Sequence, residues 1–189
     1  LNYIAYLFQR APGFMDVVSN TTALTGTNVQ TIKHNLGVVP ELIISKVAAP
    51  SNISDNWYSY SAAVGIDYAL YFNTNAARAF YANGAWWGGV APTNTQFTYS
   101  TFYSGSWTYY LFATLAGVSK VGSYTGNAGY AVNVPCGFSN GARFILIKRT
   151  DATGDWYYWD TLRGISAGND PYLLFNSTAA QVTNTDYID

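Results

Sequence analysis

Apolar residues fall along this chain in short runs, separated by clusters of Gly, Asn, Ser, Thr and Pro: VVPELIISKV, DYALYFNT, TQFTYSTFYSGSWTYYLF, ARFILIKRT, DWYYWD and DPYLLFNST. Each is strand-sized, and Tyr, Phe, Val, Ile, Thr and Trp dominate, the residues that suit the pleated surface of a sheet. No segment holds a helical period for three turns; the nearest candidate, NTNAARAFYANG, is short and flanked by Asn and Gly, which allows a single turn at most. The pattern predicts an all-β protein. Within DWYYWD a period of two sends Trp156 and Tyr158 to one face and Tyr157 and Trp159 to the other, so both faces are aromatic. Such a strand is either central in a packed sandwich or buried on its outer face by a neighbouring unit, and both readings make Trp57 and Trp156 core residues.

The runs also repeat. Tyr6-Leu7-Phe8 matches Tyr110-Leu111-Phe112, and Gly13 matches Gly117, each 104 positions apart. Leu42-Ile43-Ile44 with Lys46 matches Phe144-Ile145-Leu146 with Lys148 at 102 positions, and Asn56-Trp57-Tyr58 matches Asp155-Trp156-Tyr157 at 99. Phe72-Asn73-Thr74-Asn75-Ala76-Ala77 matches Phe175-Asn176-Ser177-Thr178-Ala179-Ala180 at 103. Four landmarks in one order with small drift in length describe a duplicated domain, because chance similarity between strands would scramble the order. The expected architecture is two tandem antiparallel β-sandwich units of jelly-roll or concanavalin A-like type. Unit one spans 14–117 and unit two 118–189, and residues 1–13 carry an orphan closing strand of a preceding or neighbouring unit. Unit two lacks a closing strand of its own.

Composition narrows the function. Charged residues make up 10% of the 189, aromatics 17%, and the net charge is −1. A surface of Ser, Thr, Asn, Gly and Tyr in place of Lys and Glu is the texture of an extracellular or virion β protein. Nine scattered basic residues offer no stripe to neutralise phosphates, which argues against nucleic acid. The longest apolar run, Tyr109 to Val118, is about half the ~20 residues of a spanning helix, so membrane insertion is not expected. The chain begins at Leu1 without a leader, which suggests processing or a piece of something longer.

Catalysis and metal binding find little to work with. Cys136 and His34 are single, so there is no disulfide and no zinc cluster, and neither a cofactor, a metal site nor a catalytic residue is expected. Glu41, the only Glu, follows Pro40 in a turn and shapes a loop. Asp151, Asp155, Asp160 and Asp170 are the best acidic set for glycoside chemistry, but Asp-Ala-Thr-Gly is turn chemistry, and DATGDWYYWD lacks the ligands of a calcium loop. Asp160 is expected to pair with Arg163 across a surface turn.

The phrases TIKHNLGVVPELIISK, GFSNGARFILIKRTDATGDWYYWDTLRG, YLLFNSTAA, APTNTQFTYS and YIAYLF resemble the repeat units of tailed-bacteriophage tail-fibre and virion proteins with concanavalin A-like sandwich domains. The resemblance implies a structural or host-attachment role at the virion surface, outside the cell, and carries no catalytic motif. The first unit departs from the pattern where SNISDNWYSYSAAVG replaces DATGDWYYWDTLRG and loses the Arg of Arg163-Gly164.

Three partners then compete. Aromatic planes among Asn, Ser, Thr and Gly suit a host cell-surface glycan, and the same low-charge composition suits contacts with other copies of the chain or other virion proteins. An extracellular filament or surface layer is a third reading. Residues peculiar to one unit are freer to bind than those shared by both. Trp86, Tyr81, Trp107 and Trp159 are the candidate glycan or subunit contacts; in a strand Trp86 would face outward and Trp87 inward, but burial of both tryptophans is the outcome the sequence favours. Tyr3, Ile4, Ala5, Tyr6, Leu7 and Phe8 form the candidate inter-unit strand, since an aromatic edge left in water would template association. Subunit assembly ranks first and glycan binding second.

Overall fold

The structure, a computed structural model, describes residues 5–20, 28–49, 56–101, 105–127 and 129–188. Within them the protein is essentially all β, with antiparallel pairing throughout and almost no helix. The strands are β1 (Met15–Asn20), β2 (Asn28–Lys33), β3 (Leu42–Ala49), β4 (Tyr58–Ser61), β5 (Tyr68–Tyr71), β6 (Ala79–Phe80), β7 (Gln96–Thr101), β8 (Ser106–Phe112), β9 (Phe144–Lys148), β10 (Trp156–Asp160) and β11 (Leu173–Leu174). They form a six-stranded sheet in the order β1-β8-β3-β4-β5-β6, a two-stranded sheet β2-β7, and a three-stranded sheet β11-β10-β9.

Alternation along the strands gives the six-stranded sheet two apolar faces. Trp107, Tyr109 and Leu111 of β8 point to the inner face, where Leu111 lies opposite Ile43 and Ile43 opposite Tyr60. Across from them stand Phe97 and Tyr99 of β7 with Trp86 and Trp87, so these two sheets share one core. Tyr99 is its hub: its ring centroid lies 5.1 Å from Trp107, 5.2 Å from Tyr109, 5.7 Å from Trp87 and 5.9 Å from Trp86, the tilted and edge-on separations aromatic pairs prefer.

Trp86 and Trp87 are both buried, the outcome the sequence favours, but they do not lie in a strand and Trp86 does not face outward. They lie in a short 3-10 segment, Ala82–Trp87, kinked at Asn83 (φ 57°) and Gly84 (φ 63°), and the kink turns both indoles inward. The one turn allowed to NTNAARAFYANG thus lies at its end and runs on through the tryptophans. Trp87 Nε1 donates to the Tyr68 carbonyl at 2.9 Å. At Gly88 (φ 70°) a Cβ would sit 2.7 Å from Val29 Cγ1 and 2.8 Å from Thr98 Cβ, so only glycine lets this segment close on β2 and β7.

The outer face of the same sheet carries Ile44, Leu70 and Phe72, flanked by Leu42, Trp57, Tyr110 and Phe112, and it packs on Leu146 and Trp156 of the three-stranded sheet. The Phe72 ring lies 4.6 Å from Trp156 and 4.4 Å from Phe175. Trp156 Nε1 donates to the Tyr71 carbonyl at 2.8 Å, and Arg78 N and Gly154 N donate to the Thr150 and Asn75 carbonyls. Three layers result, with the six-stranded sheet in the middle.

The repeat of the sequence recurs in the pairing. Leu42↔Ser61, Ile43↔Tyr60, Ile44↔Ser59 and Ser45↔Tyr58 in β3–β4 correspond, position for position, to Phe144↔Asp160, Ile145↔Trp159, Leu146↔Tyr158 and Ile147↔Tyr157 in β9–β10. Tyr58↔Tyr71 and Ser59↔Leu70 correspond likewise to Tyr157↔Leu174 and Tyr158↔Leu173. The shared Phe-Asn phrase is explained by one hydrogen bond made twice: Asn73 Oδ1 accepts from Trp57 N at 2.9 Å, and Asn176 Oδ1 from Trp156 N at 2.7 Å. Each Asn also donates to the side chain that precedes its Trp, Asn56 at 3.1 Å and Asp155 at 2.9 Å. Beyond this meander the halves differ. Among the described residues of 118–143 there are only isolated bridges, Leu115↔Ser119 and Asn127↔Tyr130, where the first half has β1 and β2.

Phe72 joins the layers, so Phe72→Ala is expected to cost about 3–5 kcal/mol, read as a lowered urea midpoint. Leu162→Ala, at a residue 79% exposed, should change stability by less than about 0.5 kcal/mol.

Candidate contact site

The structure separates the aromatic candidates from the surface. Trp86, Trp107 and Trp159 are 4%, 2% and 3% exposed, so none offers a ring face to a sugar or a second chain, and the first two belong to the core around Tyr99. The reason is local: Trp107 sits at an inward position of β8, and Trp159 is covered by Tyr157 and Tyr172, 6.0 and 5.9 Å from its ring. Tyr81 is half-buried, its hydroxyl 2.9 Å from that of Tyr71 and its ring 5.3 Å from Trp86.

The N-terminal candidates behave differently. Tyr3 and Ile4 lie outside the described residues; Ala5, Leu7 and Phe8 are exposed and Tyr6 is half-buried. Residues 5–10 form no described strand. Their side chains nevertheless reach the three-stranded sheet: the Tyr6 ring lies 5.1 Å from Phe144 and 6.0 Å from Tyr158, and Phe8 lies 6.3 Å from Phe144 and 6.1 Å from Phe112.

A polar cluster holds Tyr6 there. Its hydroxyl donates to Asp160 Oδ2, and Arg163 Nη2 donates to the Tyr6 oxygen at 2.9 Å and pairs with the same carboxylate. Asp160 Oδ1 accepts from the backbone N–H groups of Leu162 and Arg163, both at 2.9 Å. The expected surface pair is in fact buried, each side chain 3% exposed. The Arg163 guanidinium lies 4.7 Å over the Tyr158 ring, while its Nε and Nη1 meet no acceptor among the described residues. A buried ion pair carries a desolvation cost, here offset by the ring and by every hydrogen bond the carboxylate collects.

These contacts set the ionisation. Burial would raise the Asp160 carboxyl, but the Tyr6 hydroxyl, the two N–H groups and the Arg163 charge outweigh it and hold the group below its ordinary range. Burial and the neighbouring carboxylate push the Tyr6 phenol up to about 12. The pair was findable in the sequence, because Asp160 and Arg163 belong to the phrase DTLRG that the first half lacks. Ser61 stands at the matching position there.

The catalytic candidates are occupied elsewhere. Burial keeps His34 below its ordinary value; its Nδ1 accepts from Leu36 N at 3.2 Å and its Nε2 lies 3.1 Å from the Thr93 carbonyl, so both nitrogens serve the loop. Asp170 is fully buried, accepting from the backbone N–H groups of Ser166, Tyr187 and Ile188. Glu41 accepts from Thr114 N, as a loop-shaping residue would. Among the described residues no three His, Cys, Asp or Glu side chains gather to hold a metal, and no helix is long and apolar enough to cross a membrane.

Tyr6→Phe keeps the ring and removes the hydroxyl, so it is expected to cost about 1–3 kcal/mol near neutral pH. Asp160 contributes stability above its unfolded pKa and loses it as pH falls through its depressed folded value. Without the Tyr6 donor that folded value rises. The acid-unfolding midpoint of Tyr6→Phe, followed by tryptophan fluorescence, should therefore lie at higher pH than that of the parent.

A family model described as a domain of unknown function (DUF7483) matches residues 11–189, so the chain belongs to that family. No curated protein and no solved structure matches it.

Proposed function

We propose that this DUF7483 domain is a structural module of a virion or comparable extracellular particle, a tail fibre by its sequence resemblance, and that it works by packing β units against one another. One observation carries the reading: the chain's two three-stranded meanders contact each other through the same face. Leu42, Ile44, Trp57, Leu70 and Phe72 on one side meet Leu146, Trp156 and Phe175 on the other, the counterparts of Ile44, Trp57 and Phe72, and Phe72 touches its own counterpart, Phe175, at 4.4 Å. A surface that pairs with its own repeat is the mark of an isologous contact. On this reading the halves are tandem sandwich units, the first complete in two sheets and the second reduced to its meander.

Composition supports the same role. Chains that meet other chains are enriched in Tyr and Trp and poor in Lys and Glu, and this one has 17 Tyr and 6 Trp among 189 residues with 10% charge. Trp86, Trp107 and Trp159, the sequence candidates for glycan and subunit contact alike, are buried and support neither role, so the assembly reading rests on the matched faces and the composition.

The purified chain is expected to form multimers by light scattering across a dilution series and to stay silent on a glycan array. A strict monomer at every concentration that binds a defined sugar would overturn the assembly reading in favour of a lectin.

A further inference from the structure

Among the described residues no strand flanks the three-stranded sheet beyond β9. β9 ends its sheet, whereas β3, which matches it in sequence and in register to the following strand, is flanked on that side by β8. In β8 the pairing runs Leu42↔Phe112, Ile43↔Leu111 and Ile44↔Tyr110. The chain writes Tyr-Leu-Phe once more, at Tyr6-Leu7-Phe8. The turn after the phrase is also the same. Ala11↔Met15 and Leu115↔Ser119 close equivalent turns, with Gly13 at φ 76° and Gly117 at φ 73° and with matching backbone hydrogen bonds from Phe14 N and Val118 N.

We infer that Tyr6–Phe8 is the closing strand of the three-stranded sheet, paired antiparallel to β9 of the same chain with Leu7 opposite Ile145. This pairing rests on the two-unit reading of the proposed function, and it does not depend on whether copies assemble.

Three observations carry it. The segment already presents the correct faces: Tyr6 and Phe8 lie on the side of Phe144 and Tyr158, as Tyr110 and Phe112 lie on the side of Leu42 and Ile44. Leu7 points the other way and is 94% exposed, while its counterpart Leu111 is fully buried because the β2–β7 sheet covers it. Second, Phe8 touches Phe112, its own counterpart, at 6.1 Å, at the opposite side of the interface from the Phe72–Phe175 contact. Two self-matched pairs define an approximate two-fold relation between the layers, and that relation places Tyr6–Phe8 beside β9 just as Tyr110–Phe112 lies beside β3. Third, the buried Asp160–Arg163 pair at the end of β10 holds the Tyr6 hydroxyl, which fixes the segment at this edge and in this chain. Among the described residues, 5–10 make no ladder hydrogen bond to β9; the proposed pairing supplies that ladder.

The test is a cross-strand disulfide. In a Cys136→Ser background, Leu7→Cys with Ile145→Cys should oxidise to a bridge within one chain, seen as a faster-running monomer on a non-reducing gel, since facing strand positions lie within disulfide reach. Leu7→Cys with Lys148→Cys, three residues out of register, should remain reduced. A ladder of linked chains would overturn closure within the chain and point to strand exchange between copies; absence of any bridge would overturn the pairing itself. Hydrogen exchange on the unmodified chain gives a second readout: amides of β9 that face away from β10 should be protected at least ten-fold over random coil, and free exchange there would also overturn it. Multimer formation is read separately, by light scattering on the unmodified chain, so failure of the pairing and failure of the assembly reading are distinguishable.

Discussion

The six-stranded sheet is apolar on both faces, and the rest of the chain is arranged to keep both from water. A sheet with one solvated face alternates apolar and polar residues; β3 (Leu42-Ile43-Ile44), β5 (Ala69-Leu70-Tyr71) and the end of β8 (Tyr109 to Phe112) are apolar toward both faces, whereas β4, Tyr-Ser-Tyr-Ser, keeps the alternation. Their inward residues, Ile43, Tyr58, Tyr60, Tyr109 and Leu111, meet β7 and the two tryptophans, and their outward residues, Ile44, Leu70 and Phe72, meet β10. The two coverings come from different parts of the sequence, one from within the first half and one from the second. Neither could be lost without exposing an aromatic face of the sheet between them.

Register was the most legible part of the fold. The matched phrases stand 102, 99 and 103 positions apart, and the differences record only changes in loop length, so strands that match in sequence must pair in matching register or turn the wrong side chains to the core. Asn73 and Asn176 show how local this information is, since each caps the Trp across from it. Orientation was legible wherever the period of two held. It failed at Trp86 and Trp87 because two residues with positive φ, Asn83 and Gly84, replace a strand by a kinked turn, which sequence alternation does not encode. It misjudged Asp160 and Arg163 for a different reason. A charged pair in a turn is ordinarily solvated, and only the chain packed over it, Tyr6 among that chain's side chains, buries this one.

That burial separates the two halves physically. At the position of Asp160 the first half has Ser61, which needs no counter-charge, and the chain beyond it turns through Val64 and Gly65 N–H bonds to the Ser61 carbonyl. The second half makes the matching Gly164 to Asp160 turn and adds a guanidinium beneath it. Truncating either partner would leave the other charge buried without its counter-charge, so the cluster is expensive to break even though its net contribution to stability is small. Its geometry is selective: a phenol of Tyr length reaches both Asp160 and Arg163, and a Phe does not.

The inner face of the three-stranded sheet shows what substitutes for a missing layer. Ile145, Ile147, Tyr157 and Trp159 occupy the positions that in the first half lie beneath β7 and the tryptophans, yet no two-stranded sheet stands over them among the described residues. Instead Tyr172, just before β11, sits 5.2 Å from Tyr157 and 5.9 Å from Trp159, and Tyr187, where the chain returns after β11, lies 5.8 Å from Tyr172. Asp170 anchors this return, its buried carboxylate gathering three backbone N–H groups and its backbone N–H and C=O bonding Thr185. A cluster of tilted rings held by one carboxylate is a thinner cover than a sheet. It buries Trp159 at 3% exposure while Ile145, Ile147 and Tyr157 stay only half-buried. The burial of that face therefore depends on Asp170, in the loop just before β11, more than on any contact made by the strands themselves.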